Sequence, residues 1–212
     1  SQIQTVKNRL WNGVHSIIAW YGVLLGHDTI GIAMGDQRVL ALAEQLVDHE
    51  VGLGLSHQYP DIAEILPQLK ESFLKSCKYA YKDPCTRVGR DPIRKLQLND
   101  RVFGSIQMNV EYGLSTEGLV YGATLALLYA QHQYANEDSE AQQIKQALEQ
   151  TTTLDGETLS RILDHDQIEL SITEKQYFEV MQYIAQHLQA AQNDLSAFLG
   201  DWQQCMQGIV EG

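Results

Sequence analysis

Residues 5–25 read TVKNRLWNGVHSIIAWYGVLL and contain no proline. Apolar side chains recur in this stretch at intervals of three and four residues, which is the period of an amphipathic α-helix. The positions that follow this period are Val6, Leu10, Val14, Ile17, Ile18, Tyr21, Leu24 and Leu25. The stretch therefore predicts a long helix with one apolar side.

The same helical period continues through most of the chain. All four prolines lie between residues 60 and 92, so the rest of the chain lacks this type of helix breaker. Alternation of apolar and polar residues over strand lengths is scarce, and no unit of about 20–50 residues repeats. We therefore predict an all-α bundle of roughly eight to ten helices and not a solenoid. The further helices are expected at residues 31–47, 61–81 with Asp61 as cap, 92–98 with Asp91 as cap, 114–130, 139–148, 159–163 and 173–199.

Length and composition predict one sizeable core, in a single large domain or two small ones. The chain has 212 residues, of which 44% are apolar and 20% are charged. No apolar run reaches the length of about 18 residues that would indicate a membrane span. Cys77, Cys85 and Cys205 form no CxxC pair, which is typical of reduced thiols in a cytosolic protein. The seven histidines lack metal-ligand spacing, so no metal is expected.

Charge is distributed unevenly along the chain, whose formal net charge is −12. Residues 1–101 hold 12 Lys and Arg against 11 Asp and Glu, whereas residues 102–212 hold 3 against 16. The acidic second half argues against nucleic acid as a partner. Residues 82–101 carry six of the 15 basic residues and three acids. This basic island is either a site for an anionic ligand or a solvated helix face, and charge alone leaves both open.

Three polar residues in the opening stretch, Lys7, Asn12 and His15, carry groups that can do chemistry. At about 100° per residue they project at roughly 0°, 140° and 80° around an α-helix, so they share one side. A lysine in a partly dry cleft has a lowered pKa and can act as a base. An asparagine amide nearby can donate to a developing alkoxide. The alternative is that these residues are three polar groups at the rim of a helix.

The spacing Lys7-x4-Asn12-x2-His15 resembles the catalytic helix of the polyol-specific long-chain dehydrogenases. The run RVGRDPIRKL at residues 87–96 and NDR at 99–101 are similar to the mannitol-1-phosphate branch of that family, and EYGL at 111–114 continues the match. The resemblance covers about residues 5–150. It implies a multi-helix bundle like the C-terminal domains of mannitol dehydrogenases and 6-phosphogluconate dehydrogenase.

The resemblance also implies a Rossmann-type NAD-binding domain that precedes the helical domain in the same protein. No GxGxxG opens a helix after a strand in this chain, and Gly52-Leu53-Gly54 is interpreted as a turn. Residues 1–212 are therefore expected to be the helical C-terminal substrate-binding and catalytic domain alone. By itself this domain is expected to bind no NAD and to be inactive.

Roles for individual residues follow from the same resemblance. Lys7 would exchange the proton of the reacting hydroxyl, Asn12 would polarise the reacting oxygen, and His15 would bind the substrate. The positions that match substrate contacts are Arg87 and Lys95, together with Arg90, which stands where the phosphate-using branch has an arginine. The implied reaction is the NAD-dependent, metal-free interconversion of mannitol 1-phosphate and fructose 6-phosphate in the cytoplasm.

Two alternatives to this reaction stay open. Gly13, directly after Asn12, is a feature closer to the sugar-acid reductase branch of the family. A helical module that kept the fold without the chemistry would bind a sugar phosphate or serve as a dimerisation scaffold. The expected partners are a sugar or polyol phosphate and the Rossmann domain of the same protein, and neither nucleic acid nor a membrane.

Overall fold

The computed structural model describes residues 1–132 and 135–205 of the chain. Within these residues the structure is all-α, and it has no strand beyond a single bridge between Thr29 and Pro84. The prediction of an all-α bundle is therefore confirmed. None of the helices described is long and apolar enough to cross a membrane.

The first half of the chain holds eight α-helices, two π-helices and a short 3-10 turn. In order they are α1 (Gln2–Val6), the first π-helix (Lys7–Gly13), α2 (Val14–Leu24), α3 (Ile30–Met34), α4 (Gln37–Gln45), the second π-helix (Leu46–Glu50), α5 (Val51–Gln58), the 3-10 turn (Pro60–Ile62), α6 (Leu66–Lys78), α7 (Cys85–Val88) and α8 (Pro92–Lys95).

The described part of the second half holds six α-helices and a 3-10 turn. They are α9 (Phe103–Glu111), α10 (Glu117–Gln131), α11 (Ser139–Glu149), α12 (Gly156–Ile162), the 3-10 turn (Gln167–Glu169), α13 (Glu174–Asn193) and α14 (Leu195–Gly200).

The structure has more helices than predicted because capping residues divide two of the long patterns. The predicted helix 31–47 is divided at Asp36, whose side chain accepts a hydrogen bond from the backbone N–H of Arg38 at 3.0 Å and so starts α4. The predicted helix 173–199 is divided at Asp194, which caps α14. The cap predicted at Asp61 is wrong, because that residue lies in a 3-10 turn and α6 begins later.

Helices α2 and α10 pack against each other at the centre of the bundle. Nine of the eleven residues of α2 are buried, and every residue of α10 from Gly118 to Ala130 is buried. The two helices approach closely at Gly122, where a Cβ atom would lie 2.5 Å from Cδ1 of Ile17. Helices α11 and α13 cover the other sides of α10. The part of residues 5–25 that forms α2 therefore lies in the core.

Helix α14, near the end of the described residues, returns to this central pair. The hydroxyl of Tyr21 on α2 donates to the carbonyl oxygen of Leu199 at 2.7 Å, and that of Tyr121 on α10 donates to the carbonyl of Phe198 at 2.6 Å. The rings of Tyr121 and Phe198 stack with centroids 4.7 Å apart. These contacts fasten the end of the described chain to the helix that follows the Lys7–His15 region.

Candidate active site

Lys7 and Asn12 lie at the two ends of the first π-helix, which runs without a break from α1 into α2. In a π-helix the backbone hydrogen bonds join residues i and i+5. Residues five apart are therefore neighbours on one side, as residues four apart are in an α-helix. The angle of about 140° that regular α-helical geometry gives for Lys7 and Asn12 is therefore wrong for this segment. The π-helix brings the two side chains nearer to one side of the helix, with Lys7 exposed and Asn12 half-buried.

His15 lies in the first turn of α2 and is half-buried. Burial lowers the pKa of the His15 imidazole, Asp83 opposes this effect, and the positive charges of Lys95 and Arg101 lower the pKa further. The neutral ring is therefore favoured, and a neutral imidazole can both donate and accept a hydrogen bond. These electrostatic effects also show that the fold brings Lys95 into the surroundings of His15, 80 positions away in sequence.

Lys95 is the most buried basic side chain of the predicted substrate site, with 6% of its surface exposed. It ends α8, and its Nζ donates to the carbonyl oxygen of Val88 at the end of α7, at 2.6 Å. Burial lowers the pKa of Lys95 to about 8, and repulsion by Arg101 and Arg94 adds to the effect. The amine is thus still mostly charged at neutral pH, and its position is fixed by α7.

Arg87 and Arg90 lie at the exposed side of the same segment. The guanidinium of Arg87 donates to Oδ1 of Asp83 at 3.0 Å, in an ion pair whose arginine side chain is 60% exposed. Arg90 follows Gly89, the C-cap of α7, and is also exposed. Among the residues that the structure describes, no hydrogen bond joins either arginine to Lys7 or His15. Lys95 thus lies within electrostatic range of His15, whereas the two arginines are exposed.

The turn that carries these basic residues is fixed from both sides. The indole N–H of Trp20 on α2 donates to the carbonyl of Gly89 at 2.8 Å, and a Cβ atom on Gly89 would lie 2.9 Å from the Trp20 ring. Asp91 occupies the predicted N-cap position of α8 but makes no side-chain cap, because its backbone is left-handed, with φ of 59°. Its N–H donates instead to Oδ2 of Asp138 at 3.1 Å.

The sequence analysis assigned no role to three residues beside the predicted site, Asn8, Asp100 and Arg101. Arg101 has only 14% of its side chain exposed and lies close enough to His15 to lower the pKa of that ring. Its Nη1 is 3.4 Å from Oγ of Ser16. The available signal was the NDR run at residues 99–101, which was used for the resemblance but not for the site.

No residue of this chain is assigned to a nicotinamide cofactor. The described residues contain no strand and therefore no strand–turn–helix unit of the kind that binds a dinucleotide diphosphate. No cluster of three or more His, Cys, Asp or Glu in the described ranges is arranged to hold a metal ion. The groups that the chain does supply are an amine, an amide, an imidazole and several guanidinium groups.

Comparison with known proteins gives relatives among polyol dehydrogenases. Mannitol-1-phosphate 5-dehydrogenase of Caldanaerobacter subterraneus subsp. tengcongensis is 29% identical over 172 residues, which are 81% of this chain and 43% of that protein. The chain therefore spans less than half the length of this relative.

Two solved structures share the fold. Pseudomonas fluorescens mannitol 2-dehydrogenase, in a ternary complex with NAD and D-mannitol, superposes with a TM-score of 0.68 at 17% identity, over 100% of this chain and 41% of that one. D-sorbitol dehydrogenase in substrate-free form gives a TM-score of 0.63 at 14% identity, over 90% of this chain and 39% of that one. At these identities the likeness establishes the fold alone.

A model of the mannitol dehydrogenase C-terminal domain family matches residues 2–198, which is nearly the whole chain. The resemblance inferred from the Lys-x4-Asn-x2-His spacing and the arginine-rich run is thereby confirmed at the level of the family. The chain belongs to the family of mannitol dehydrogenase C-terminal domains, the helical domains of a class of polyol oxidoreductases.

Proposed function

We propose that this chain is the substrate-binding and proton-transferring part of an NAD-dependent polyol-phosphate dehydrogenase that interconverts mannitol 1-phosphate and fructose 6-phosphate. The observation that carries the proposal is the placement of Lys7 and Asn12 on one π-helix that leads into His15, beside the basic segment of α7 and α8. The 29% identity to a mannitol-1-phosphate 5-dehydrogenase supports the choice of substrate.

Lys7 is the proposed proton-transfer group. In the oxidation direction the neutral amine accepts the hydroxyl proton of the substrate, and in the reduction direction the ammonium returns it to the forming alkoxide. Asn12, stacked near Lys7 by the π-helix, donates its amide N–H to the same oxygen and stabilises the charge that develops there. His15 in its neutral form binds a neighbouring hydroxyl of the polyol.

Arg87, Arg90 and Lys95 are the proposed phosphate and polyol contacts. The two arginines stand at the rim of the segment and can each offer a planar pair of N–H donors to a phosphate. Lys95 is more buried and lies within electrostatic range of His15, and its ammonium is the proposed contact for the polyol chain near the reacting end. Arg87 would have to share or give up its ion pair with Asp83 when it binds the phosphate.

The hydride acceptor is proposed to be NAD held by a Rossmann-type domain of the same protein. This chain's described residues offer no dinucleotide-binding unit. We therefore expect the isolated chain to give no binding signal with NADH in calorimetry and to turn over no polyol.

The test of the proton-transfer role is Lys7→Ala in the protein that includes the nucleotide-binding domain. We expect kcat to fall about 10²- to 10⁴-fold, because a positioned general base contributes a factor of that size. Binding of the sugar phosphate, measured by calorimetry, should change much less. Lys75→Ala, which removes an exposed lysine on α6, is the matched control. A Lys7→Ala variant with unchanged kcat at saturating substrate would exclude Lys7 as the proton-transfer group.

The test of the substrate is Arg90→Ala, assayed as kcat/KM with the sugar phosphate and with the unphosphorylated polyol. Loss of one charge-assisted contact to a phosphate should weaken the phosphorylated substrate by about 10- to 150-fold. The neutral polyol has no phosphate to lose and should be nearly unaffected. Arg161→Ala, at an exposed arginine on α12, controls for the loss of a positive charge. Equal losses for both substrates would show that Arg90 does not contact the phosphate.

A further inference from the structure

Three residues of the N-terminal helix contact one short segment that lies more than 80 positions away, Asp100 and Arg101. Nδ2 of Asn8 donates to Oδ1 of Asp100 at 3.2 Å. A Cβ atom on Gly13 would lie only 2.7 Å from the carbonyl oxygen of Arg101, so the helix backbone rests directly on that peptide group. Nη1 of Arg101 is 3.4 Å from Oγ of Ser16. The contacts therefore extend from one end of the π-helix to the other and into α2.

Asp100 is the centre of this arrangement. Its Oδ1 atom accepts hydrogen bonds from Asn8, from the backbone N–H of Arg101 at 2.6 Å and from Nε of Arg101 at 3.1 Å. Burial raises the pKa of Asp100, but these hydrogen bonds and the charge of Arg101 outweigh it, and the net change is a lowering. The carboxylate is therefore ionised at neutral pH and links the π-helix to the turn before α9.

Arg101 forms the second branch. Its guanidinium is oriented by Asp100 and reaches Ser16, a buried residue whose Oγ donates to the carbonyl oxygen of Asn12 at 2.8 Å. The chain of contacts thus runs from Asp100 through Arg101 and Ser16 to the backbone of Asn12. This chain of contacts connects Asp100 and Arg101, through Ser16, to Asn12, one of the two proposed catalytic residues on the π-helix.

The spacing of these contacts requires the π-helix. Asn8 and Gly13 are five residues apart and face the same segment. In a regular α-helix they would be turned by about 140° from each other, so both could not meet it. In a π-helix residues five apart are stacked. Lys7 and Asn12 are also five apart, each one position before a contact residue, so the same register that satisfies the contacts stacks the proposed catalytic pair.

We propose that Asp100 and Arg101 form a clamp that holds residues 7–13 in the π-helical register and thereby positions Lys7 and Asn12. The proposal rests on the proposed function for its kinetic consequence, although the clamp itself is a property of this chain. Asp100 is a positioning residue, since it acts through Asn8 and Arg101 and touches neither reacting group. A π-helix is less favourable than an α-helix in isolation, so contacts of this kind must stabilise it.

The first test is Asp100→Asn, which keeps the size of the side chain and removes its charge. In the 212-residue chain, hydrogen exchange at the backbone amides of residues 12–16 should become about 10- to 150-fold faster. This factor corresponds to the free energy of one hydrogen bond to a charged group. Asp48→Asn, at an aspartate whose ion pair is with Lys70, is the matched control and should leave those amides unchanged. Equal exchange in the wild type and Asp100→Asn would overturn the clamp.

The kinetic test uses the same variants in the protein that includes the nucleotide-binding domain. Asp100→Asn should lower kcat by about 10- to 100-fold, because small displacements of reacting groups have effects of that size. KM for the sugar phosphate should change less than about threefold, since Arg87 and Arg90 are not part of the clamp. A rise in KM with unchanged kcat would overturn the positioning role. A wild type without dehydrogenase activity would refute the proposed function, while hydrogen exchange would still decide the clamp.

A rescue experiment separates a specific contact from a general loss of stability. Asn8→Asp alone places two carboxylates against each other and should accelerate exchange more than Asp100→Asn does. The double change Asn8→Asp with Asp100→Asn restores a carboxylate–amide pair in the opposite direction. It should slow exchange at least about tenfold relative to Asn8→Asp, a coupling typical of groups in contact. If the effects of the two substitutions on the exchange free energy are additive, the contact between residues 8 and 100 does not stabilise the π-helix.

Discussion

Glu50 is a carboxylate that solvent does not reach, with 0% of its surface exposed. Its two oxygens accept hydrogen bonds from the backbone N–H groups of Gly118 at 2.7 Å and Leu119 at 3.0 Å, in the first turn of α10. The side-chain amide of Gln45 donates to the same group at 3.1 Å. Glu50 therefore serves as the N-terminal cap of α10 from a distant part of the chain.

Glu50 predicts a specific dependence of stability on pH. Burial raises the pKa of Glu50 to about 7, although its hydrogen bonds act in the opposite direction. Between about pH 4.5 and pH 7 the unfolded chain has lost this proton while the folded chain keeps it, so a rise in pH lowers the free energy of unfolding. Over this range the contribution of Glu50 to the free energy of unfolding falls by about 3 kcal/mol. Below and above the range this contribution does not depend on pH.

The measurement is urea denaturation of the wild type and Glu50→Gln at several pH values. The two proteins share every other titratable group, so the difference between the two free energies of unfolding isolates Glu50. We expect the free energy of unfolding of the wild type, relative to that of Glu50→Gln, to fall by about 3 kcal/mol as pH rises from 4.5 to 7. Glu44→Gln, on the exposed side of α4, is the matched control. A difference that does not vary with pH would contradict the assignment.

Gly13 illustrates what a residue identity can and cannot reveal. From the sequence it favours the sugar-acid reductase branch, because it follows Asn12. In the structure it has a packing reason, since any larger residue would collide with the carbonyl oxygen of Arg101. The close approach of two backbones is therefore a reason for glycine at this position that is independent of the substrate. No pattern in one sequence contains the position of a carbonyl group 88 residues away.

At the scale of elements, Asp138 connects three segments around the basic turn. Its carboxylate accepts from the backbone N–H of Ala141 as the cap of α11, from the hydroxyl of Tyr129 at the end of α10, and from the N–H of Asp91 before α8. It is 5% exposed. The left-handed backbone at Asp91 and the direction of α8 depend on this acceptor, and Lys95 ends that helix.

Asp138→Ala is therefore expected to destabilise the fold by about 2–4 kcal/mol, because it leaves a helix cap and two other donors without their acceptor. The measurement is the free energy of unfolding from urea denaturation. Asp155→Ala removes only the cap of α12 and should cost less. Equal losses in the two variants would mean that Asp138 acts only as a cap and does not hold the turn before α8.

The positions of helices could be predicted from the sequence where the apolar period extends over many residues. The π-helical segment and the short helices could not be predicted in this way. The π-helix was invisible because Val6, Leu10 and Val14 are spaced by four residues and are buried in the structure as they would be in an α-helix. The short helices α5, α7 and α9 were missed for a related reason, since a few residues are not enough to establish a period. The interpretation of Gly52-Leu53-Gly54 as a turn is wrong, because these residues lie within α5. The junction after α9 was marked by Gly113, whose φ of 65° lies in the left-handed region that favours glycine.

At the scale of the whole molecule, the near-neutral and acidic halves of the sequence do not form separate units. Helix α2 from the first half packs on α10 from the second, and α14 is fastened to both through the hydroxyls of Tyr21 and Tyr121. Charge composition sets solubility and partners but does not decide which helices pack together. The all-α class followed from apolar periodicity, whereas the return of α14 depends on contacts between residues 178 positions apart.

In the π-helix, side chains become neighbours at a sequence interval that is one residue longer than in an α-helix. Lys7 and Asn12 are five positions apart, yet they stack as residues four apart do in a regular α-helix. An ancestor or descendant without the extra residue would carry the same pair as Lys-x3-Asn, with the helices on both sides still in phase. An alignment of such a protein with this chain needs a one-residue gap inside residues 7–13. Motif searches that fix the interval at five would pass over chains with the same arrangement of functional groups.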